Sequence, residues 1–236
     1  MDKIYAKVLL NKTKDDYNRI ADKFSSTRGF LPNDIIVLKS YTNDSDRILD
    51  LGSGNGRLSE LFSEMKIRYT GIDFSTELLK CARKKYPEKK FLLADALRLP
   101  ILDKTYNIVY CLSVLHHIPS KEFRLKFLRE AYRVLKPCGQ LVLTVWNMQK
   151  IPLAKNLIMK NNFLRFLNIS KLDYNDLFYP FKDQFGKIQA ERYIHSFNEN
   201  ELKELFQFVG FKVVDIKYLK RGKKVENENI LIVGRK

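Results

Sequence analysis

The chain has 236 residues, 43 of them Lys or Arg and 27 Asp or Glu, for a formal net charge of +16, and 45% of its residues are hydrophobic. That length and apolar fraction suit one large domain with a substantial core, and they exclude intrinsic disorder and a disulfide-stapled miniature. No run approaches about 18 consecutive apolar residues, so no membrane span is expected. Met1 to Tyr5 lacks the apolar stretch of a secretory signal. Cys81, Cys111 and Cys138 are odd in number and far apart, with neither zinc nor redox spacing, which points to a reduced, cytoplasmic chain without a metal site. The positive excess has two readings: a polyanionic partner, or a coding bias that raises Lys (29) over Arg (14).

Residues 1–45 carry a helical pattern around Asp15 to Phe24. Arg47 to Leu51 reads as a strand that runs into Gly52-Ser53-Gly54-Asn55-Gly56, and a helix with Leu58, Leu61, Phe62 and Met65 on one face follows. Tyr69 to Asp73 is a second strand, Ser75 to Lys85 a helix with Ser75 as N-cap, and Phe91 to Asp95 a third strand. Tyr106 to Leu112 is a fourth, Phe123 to Leu135 an amphipathic helix, and Gln140 to Trp146 a fifth strand after the Pro137-Cys138-Gly139 break. Between 147 and 197 the rhythm fails and no clear strand is expected. A helix from Glu199 to Val209 and strands at Phe211 to Lys217 and Ile230 to Val233 close the chain, the last two close enough in sequence to pair antiparallel.

This alternation predicts an α/β fold: a Rossmann-like open, mostly parallel sheet with an antiparallel edge strand and helices on both faces. It would form one domain with a lead-in (1–45), a ligand-binding core (46–146), a substrate-side insertion (147–197) and a closing unit (198–236).

Ligands in such sheets sit beyond the C-terminal strand ends, where the glycine loop lies. Gly52, Gly54 and Gly56 do not follow the dinucleotide spacing, and Asp50 precedes them, so a phosphate is disfavoured there and a cationic ligand favoured. Asp73, ending the second strand, can accept from both hydroxyls of a ribose. Asp95, with the Ala96 amide, can hold an adenine edge. Each aspartate could also merely terminate a strand or cap a helix, but three in order at successive strand ends make a site.

With Gly71-Ile72-Asp73, Ala94-Asp95-Ala96, Tyr106 to Val109 and Val114-Leu115-His116-His117, the set resembles the class I S-adenosylmethionine-dependent methyltransferases. The resemblance implies S-adenosylmethionine as cofactor, with the Asp50 to Gly56 loop behind its methionine part, Asp73 on the ribose and Asp95 on the adenine. No Asn-Pro-Pro-Tyr follows the fourth strand, which weakens methylation of exocyclic base amines, and Cys111 reads as a packed thiol rather than a nucleophile. Tyr17 to Arg28, Asp176-Leu177-Phe178-Tyr179-Pro180-Phe181 and Arg192-Tyr193-Ile194-His195-Ser196-Phe197 are similar to segments of the tRNA wobble-uridine methyltransferases, which esterify a 5-carboxymethyl group. Phe181, Ile194 and Cys138 depart from that family's pattern. The resemblance implies a tRNA anticodon loop as partner and, as in eukaryotic relatives, a small activating subunit.

A carboxylate is ionised at neutral pH and needs a cation or donors rather than a base. Arg28, His117 and His195 are the candidate catalytic groups, and His116, Arg192, Tyr193, Lys220 and Arg221 the candidate substrate contacts. Tyr179, Phe181, Tyr193 and Phe197 are candidates for stacking splayed bases. Basic residues from Lys80 to Lys90, through the insertion (Lys150, Lys155, Lys160, Arg165, Lys171) and from Lys217 to Lys224 would meet phosphates. Two alternatives stand beside this reading: a small-molecule methyltransferase, and a silent scaffold of the same fold.

Overall fold

The computed structural model describes residues 1–220 and 228–236. Its centre is a seven-stranded sheet in the order β3-β2-β1-β4-β5-β9-β8. The parallel part comprises β1 (Arg47–Leu51), β2 (Arg68–Asp73), β3 (Lys90–Leu93), β4 (Tyr106–Leu112) and β5 (Leu135–Trp146). β8 (Lys212–Lys220) and β9 (Glu228–Arg235) pair antiparallel, and β9 runs antiparallel to β5, as the short connection requires.

Alternation along the strands builds two cores. Leu49, Leu51, Val109, Cys111, Leu141, Leu143 and Val145 pack on one face against α4 (Lys121–Val134) and α6 (Glu199–Val209). Ile48, Tyr110, Val142, Leu231 and Val233 pack on the other. There they meet α2 (Asn33–Ile36), the 3-10 helix Arg57–Phe62 and α3 (Thr76–Lys85). Both faces are covered, which is why the strands read as nearly continuous apolar runs. Ser75 Oγ caps α3 by accepting from the Leu78 amide, as expected from its position.

Three elements differ from the sequence expectation. The lead-in helix α1 (Lys3–Ser26) is much longer than the segment around Asp15 to Phe24, because its stripe Ala6, Leu9, Thr13, Tyr17 and Ile20 finds tertiary partners that periodicity alone does not supply. Arg57 to Phe62 closes as a 3-10 helix, and its tighter turn still buries Leu58, Leu61 and Phe62. The insertion is not strandless. It holds α5 (Pro152–Phe166) and an antiparallel hairpin of β6 (Asp176–Lys182) and β7 (Ile188–His195). Pro180 within β6 argues against a strand in a wide sheet, but it is tolerated in a two-stranded ribbon where β6 has one bonded edge. α1 lies between α3 and this hairpin, with Tyr17, Ile20, Ala21, Leu78, Phe181 and Ala190 in one cluster.

Candidate active site

A cavity opens at the C-terminal ends of the strands, and α1 and residues 28–35 wall its other side. Asp50 and Gly52 enter it from β1, Asp73 from β2, Asp95 and Ala96 from beyond β3, Ser113 from beyond β4, and Thr144 and Trp146 from β5. Leu219 and Asn229 complete that wall, while Tyr17, Phe24, Arg28, Leu31 and Asp34 face them.

The glycine loop holds its shape through backbone that side chains resist. Gly52, Gly54 and Gly56 all have positive φ (82°, 54° and 76°). A Cβ on Gly52 would stand 2.3 Å from Val114 Cγ2, whereas one on Gly54 would meet nothing closer than Phe24 at 3.9 Å and would fill cavity space. The Gly54 amide donates to Asp73 Oδ2 and the Ser75 amide to Asp73 Oδ1, both at 2.8 Å. The Asp73 carboxylate is thus fixed in orientation, with burial raising its pKa against those two bonds. Asp95 is exposed and accepts from the Leu97 amide at 2.8 Å.

Asp50 is the unusual group. It is 2% exposed, and Tyr69 Oη donates to its Oδ2 at 2.5 Å. Burial pushes its pKa up to about 7, with the nearby Asp73 charge adding to the rise and the Tyr69 bond opposing it. Four aspartates (Asp34, Asp50, Asp73 and Asp95) line the cavity against two arginines, Arg28 and Arg57, an acidic excess that favours a ligand bearing positive charge. Burial likewise lifts the Cys111 thiol far above its usual range, which fits a packed core residue.

His116 and His117 do not supply cations. His117 lines the cavity, but both ring nitrogens are engaged. Nδ1 lies 2.9 Å from the Tyr193 carbonyl, which can only accept, so Nε2 accepts from Tyr17 Oη at 2.8 Å. Burial and the Arg192 charge push its pKa down to about 3, leaving a neutral imidazole. His116 is fully buried behind Trp146, whose amide donates to its Nδ1 at 3.4 Å. His195 is absent from the cavity wall. Its Nδ1 meets Asp176 at 2.6 Å and its Nε2 meets Glu201 at 2.9 Å, tying β7 and β6 to α6. The need of a carboxylate substrate for a cation or donors makes His195 a candidate in sequence, but alternation along β7 turns it toward Asp176 and Glu201.

Arg192 is no surface residue. It is 3% exposed, with Cζ 5.0 Å from the Trp146 ring centre and 5.3 Å from that of Phe181. Its Nε and Nη1 are buried without a hydrogen-bond partner among the described residues. Tyr193 is buried beside it and meets the site through its carbonyl, not its ring. Phe181, Tyr193 and Phe197 are core side chains with no face to offer a base. Lys220 is exposed at the end of β8, one residue past Leu219, and Arg221 lies outside the described residues.

Sequence reasoning assigned no role to Tyr69, Tyr17 or Ser113. Ser113 adopts φ 60° and accepts from Trp146 Nε1 at 3.1 Å, which fixes the indole as cavity wall. A non-glycine residue held in that region marks a constrained site, and no local motif announces it.

The signature of the methyltransferase domain family matches residues 49–143. A putative methyltransferase of Encephalitozoon cuniculi is 32% identical over 189 residues, covering 80% of this chain and 78% of that protein. The chain belongs to the methyltransferase family. The mouse tRNA (carboxymethyluridine(34)-5-O)-methyltransferase is 33% identical over 164 residues, 68% of this chain and 23% of that protein. Its namesake in Saccharomyces cerevisiae is 32% identical over 135 residues, 57% and 47% respectively. The chain thus matches less than half the length of these two methyltransferases. Among solved folds, a Methanosarcina mazei methyltransferase superposes with TM-score 0.70 at 22% identity, covering 85% of this chain and 96% of that one. Among the described residues no helix of this methyltransferase is long and apolar enough to cross a membrane, and no His, Cys, Asp and Glu group has metal-site geometry.

Proposed function

We propose that this chain uses S-adenosylmethionine to esterify the carboxylate of a 5-carboxymethyluridine at the tRNA wobble position, in the cytoplasm. Membership of the methyltransferase family and the relatives' names support the reaction class. The observation that carries the substrate's chemistry is Arg192. A guanidinium buried without an anion is costly, and the cost falls when a substrate carboxylate arrives to accept from it.

The cavity fits the cofactor. Asp50 would meet its ammonium group, the Gly52 to Gly56 backbone would back its methionine part, and Asp73 has lone pairs left for ribose hydroxyls. Asp95 and the Ala96 amide would take the adenine edge. When bound, S-adenosylmethionine supplies a methyl group on a positively charged sulfur that leaves as a neutral thioether. The residues of this chain then have a modest task. Arg28 on the cavity wall, with Arg192 packed against the wall residue Trp146, would orient one carboxylate oxygen toward the methyl carbon, while Trp146 and Tyr17 exclude water. His117 acts as a positioning residue that holds Tyr17, and no proton transfer is needed. A small activating subunit is part of the proposal, supported by a Haloferax volcanii methyltransferase solved with the Trm112 activator, whose chain matches with TM-score 0.64 at 17% identity and covers 94% of this one.

The test is transfer of labelled methyl from the cofactor into unmodified tRNA, read as a base-labile nucleoside ester by mass spectrometry, with a small-metabolite extract in parallel. Label in the wobble ester, lost in Arg192→Ala, is the expected result. Label only in metabolites would refute the tRNA assignment, and label in neither pool would indicate a silent scaffold or a missing subunit, which adding the activator separates.

A further inference from the structure

We propose, resting on the tRNA assignment, that Phe30 and Phe185 stack on the nucleotides flanking the one that enters the cavity. Among the Phe, Tyr and Trp side chains of the described residues these two are the most exposed, at 90% and 84%. They belong to separate segments, the stretch after α1 and the β6–β7 hairpin, which Arg28 and Lys23 link. Phe30 lies between Arg28 and Leu31, both on the cavity wall. Phe185 sits at the tip of the β6–β7 hairpin, in a turn where the Asp183 carboxylate accepts from the Phe185 and Lys187 amides at 2.9 Å each. Arg28 joins the two, its Cζ 4.2 Å from the Phe24 ring centre on α1 and 5.8 Å from that of Phe181 on β6. Lys23 near the end of α1 also reaches Asp183 at 3.5 Å.

The surroundings select the occupant. Phe185 has polar or glycine neighbours on both sides (Gln184, Gly186 and Lys187), and Phe30 lies between Gly29 and the cavity-wall residue Leu31. A folded protein partner would need contiguous apolar area. A base needs one ring face, with cations near for its phosphates. Exposed Lys182 and Lys187 flank the hairpin tip and meet that need. The chemistry also demands such groups. A uridine whose 5-substituent reaches Arg192 must leave its stack, exposing a face of each neighbouring base. Two exposed phenyl rings would replace the stacking that is lost.

The experiment measures fluorescence anisotropy of a labelled anticodon stem-loop RNA with Phe30→Ala, Phe185→Ala, the Leu and Trp versions of each, and the wild type. Cofactor affinity by calorimetry and thermal midpoint accompany each protein. Ala and Leu are expected to weaken RNA binding about tenfold per site, Trp to retain it, and cofactor affinity to stay unchanged. Leu matching wild type would overturn stacking in favour of simple apolar cover. Loss of cofactor affinity in Phe30→Ala would make Phe30 part of a cofactor lid and overturn its role. A wild type that binds no RNA would overturn the whole proposal. Ring-dependent RNA binding without wobble methylation would sink the tRNA assignment and leave the stacking pair standing, while wobble methylation with indifferent variants would do the reverse.

Discussion

At the scale of single residues, the site is governed by charges removed from water. Asp50 is the clearest case, since its ionised form is the one that would meet a cationic ligand and burial disfavours that form. With a pKa near 7 it is mostly neutral below that pH, so affinity for S-adenosylmethionine should fall as pH drops from 8 to 6. Asp50→Asn should bind more weakly at pH 8 and lose that pH dependence, as calorimetry across the range would show. The same raised value means that ionising Asp50 costs the unliganded fold stability as pH rises from about 4 to 7, a slope that Asp50→Asn should also remove. Gly52 makes a steric prediction. Gly52→Ala places a methyl 2.3 Å from Val114 in left-handed backbone, and cofactor affinity should drop at least tenfold with a stability loss of about 1–3 kcal/mol. Normal affinity in that variant would show that Val114 yields. Arg192→Lys separates charge from shape: a lysine keeps the cation but loses the planar fork held between Trp146 and Phe181, so the rate of ester formation should fall with cofactor affinity unchanged.

At the scale of elements, the hairpin β6–β7 decides where the substrate-side groups go. Period-2 alternation along β7 sends Arg192 to the Trp146 side, while His195 faces Asp176 and Glu201. Burial raises the Glu201 pKa, but the His195 bond and charge outweigh it and hold the carboxyl below its usual range. His195→Ala would leave two carboxylates facing a void, and we expect a loss of about 3 kcal/mol in denaturant titration. Because His195 only ties the hairpin to α6, the kcat of the folded fraction should change little. A large kcat loss at full stability would mean that His195 reaches the substrate. α1 shows how tertiary contact extends an element, since its buried stripe is satisfied only by α3 and the hairpin together.

At the scale of the molecule, the positive excess is partly neutralised where sequence suggested a free patch. Glu77 pairs Lys80 and Glu60 pairs Lys85, so the segment from Lys80 to Lys90 presents less net charge than its composition implies. Lys155, Lys160 and Lys220 are exposed around the insertion and the end of β8. Replacing these three by Ser should weaken tRNA binding and reduce the slope of log affinity against log salt by about 2 if they meet phosphates, with cofactor affinity untouched. An unchanged slope would assign the charge to solvation alone.

What the sequence determined by itself was the sheet, its order of motifs, the glycine loop and the three strand-end aspartates. These rest on local periodicity and on turn chemistry confined to a few adjacent residues. Tertiary structure alone decided which side chains share the cavity. It buried Arg192 between two rings and retired His195 to a structural network. It turned His117 into a neutral acceptor, and it left Phe30 and Phe185 exposed. Such outcomes depend on desolvation and on contacts between residues far apart in the chain, and no window of sequence contains either.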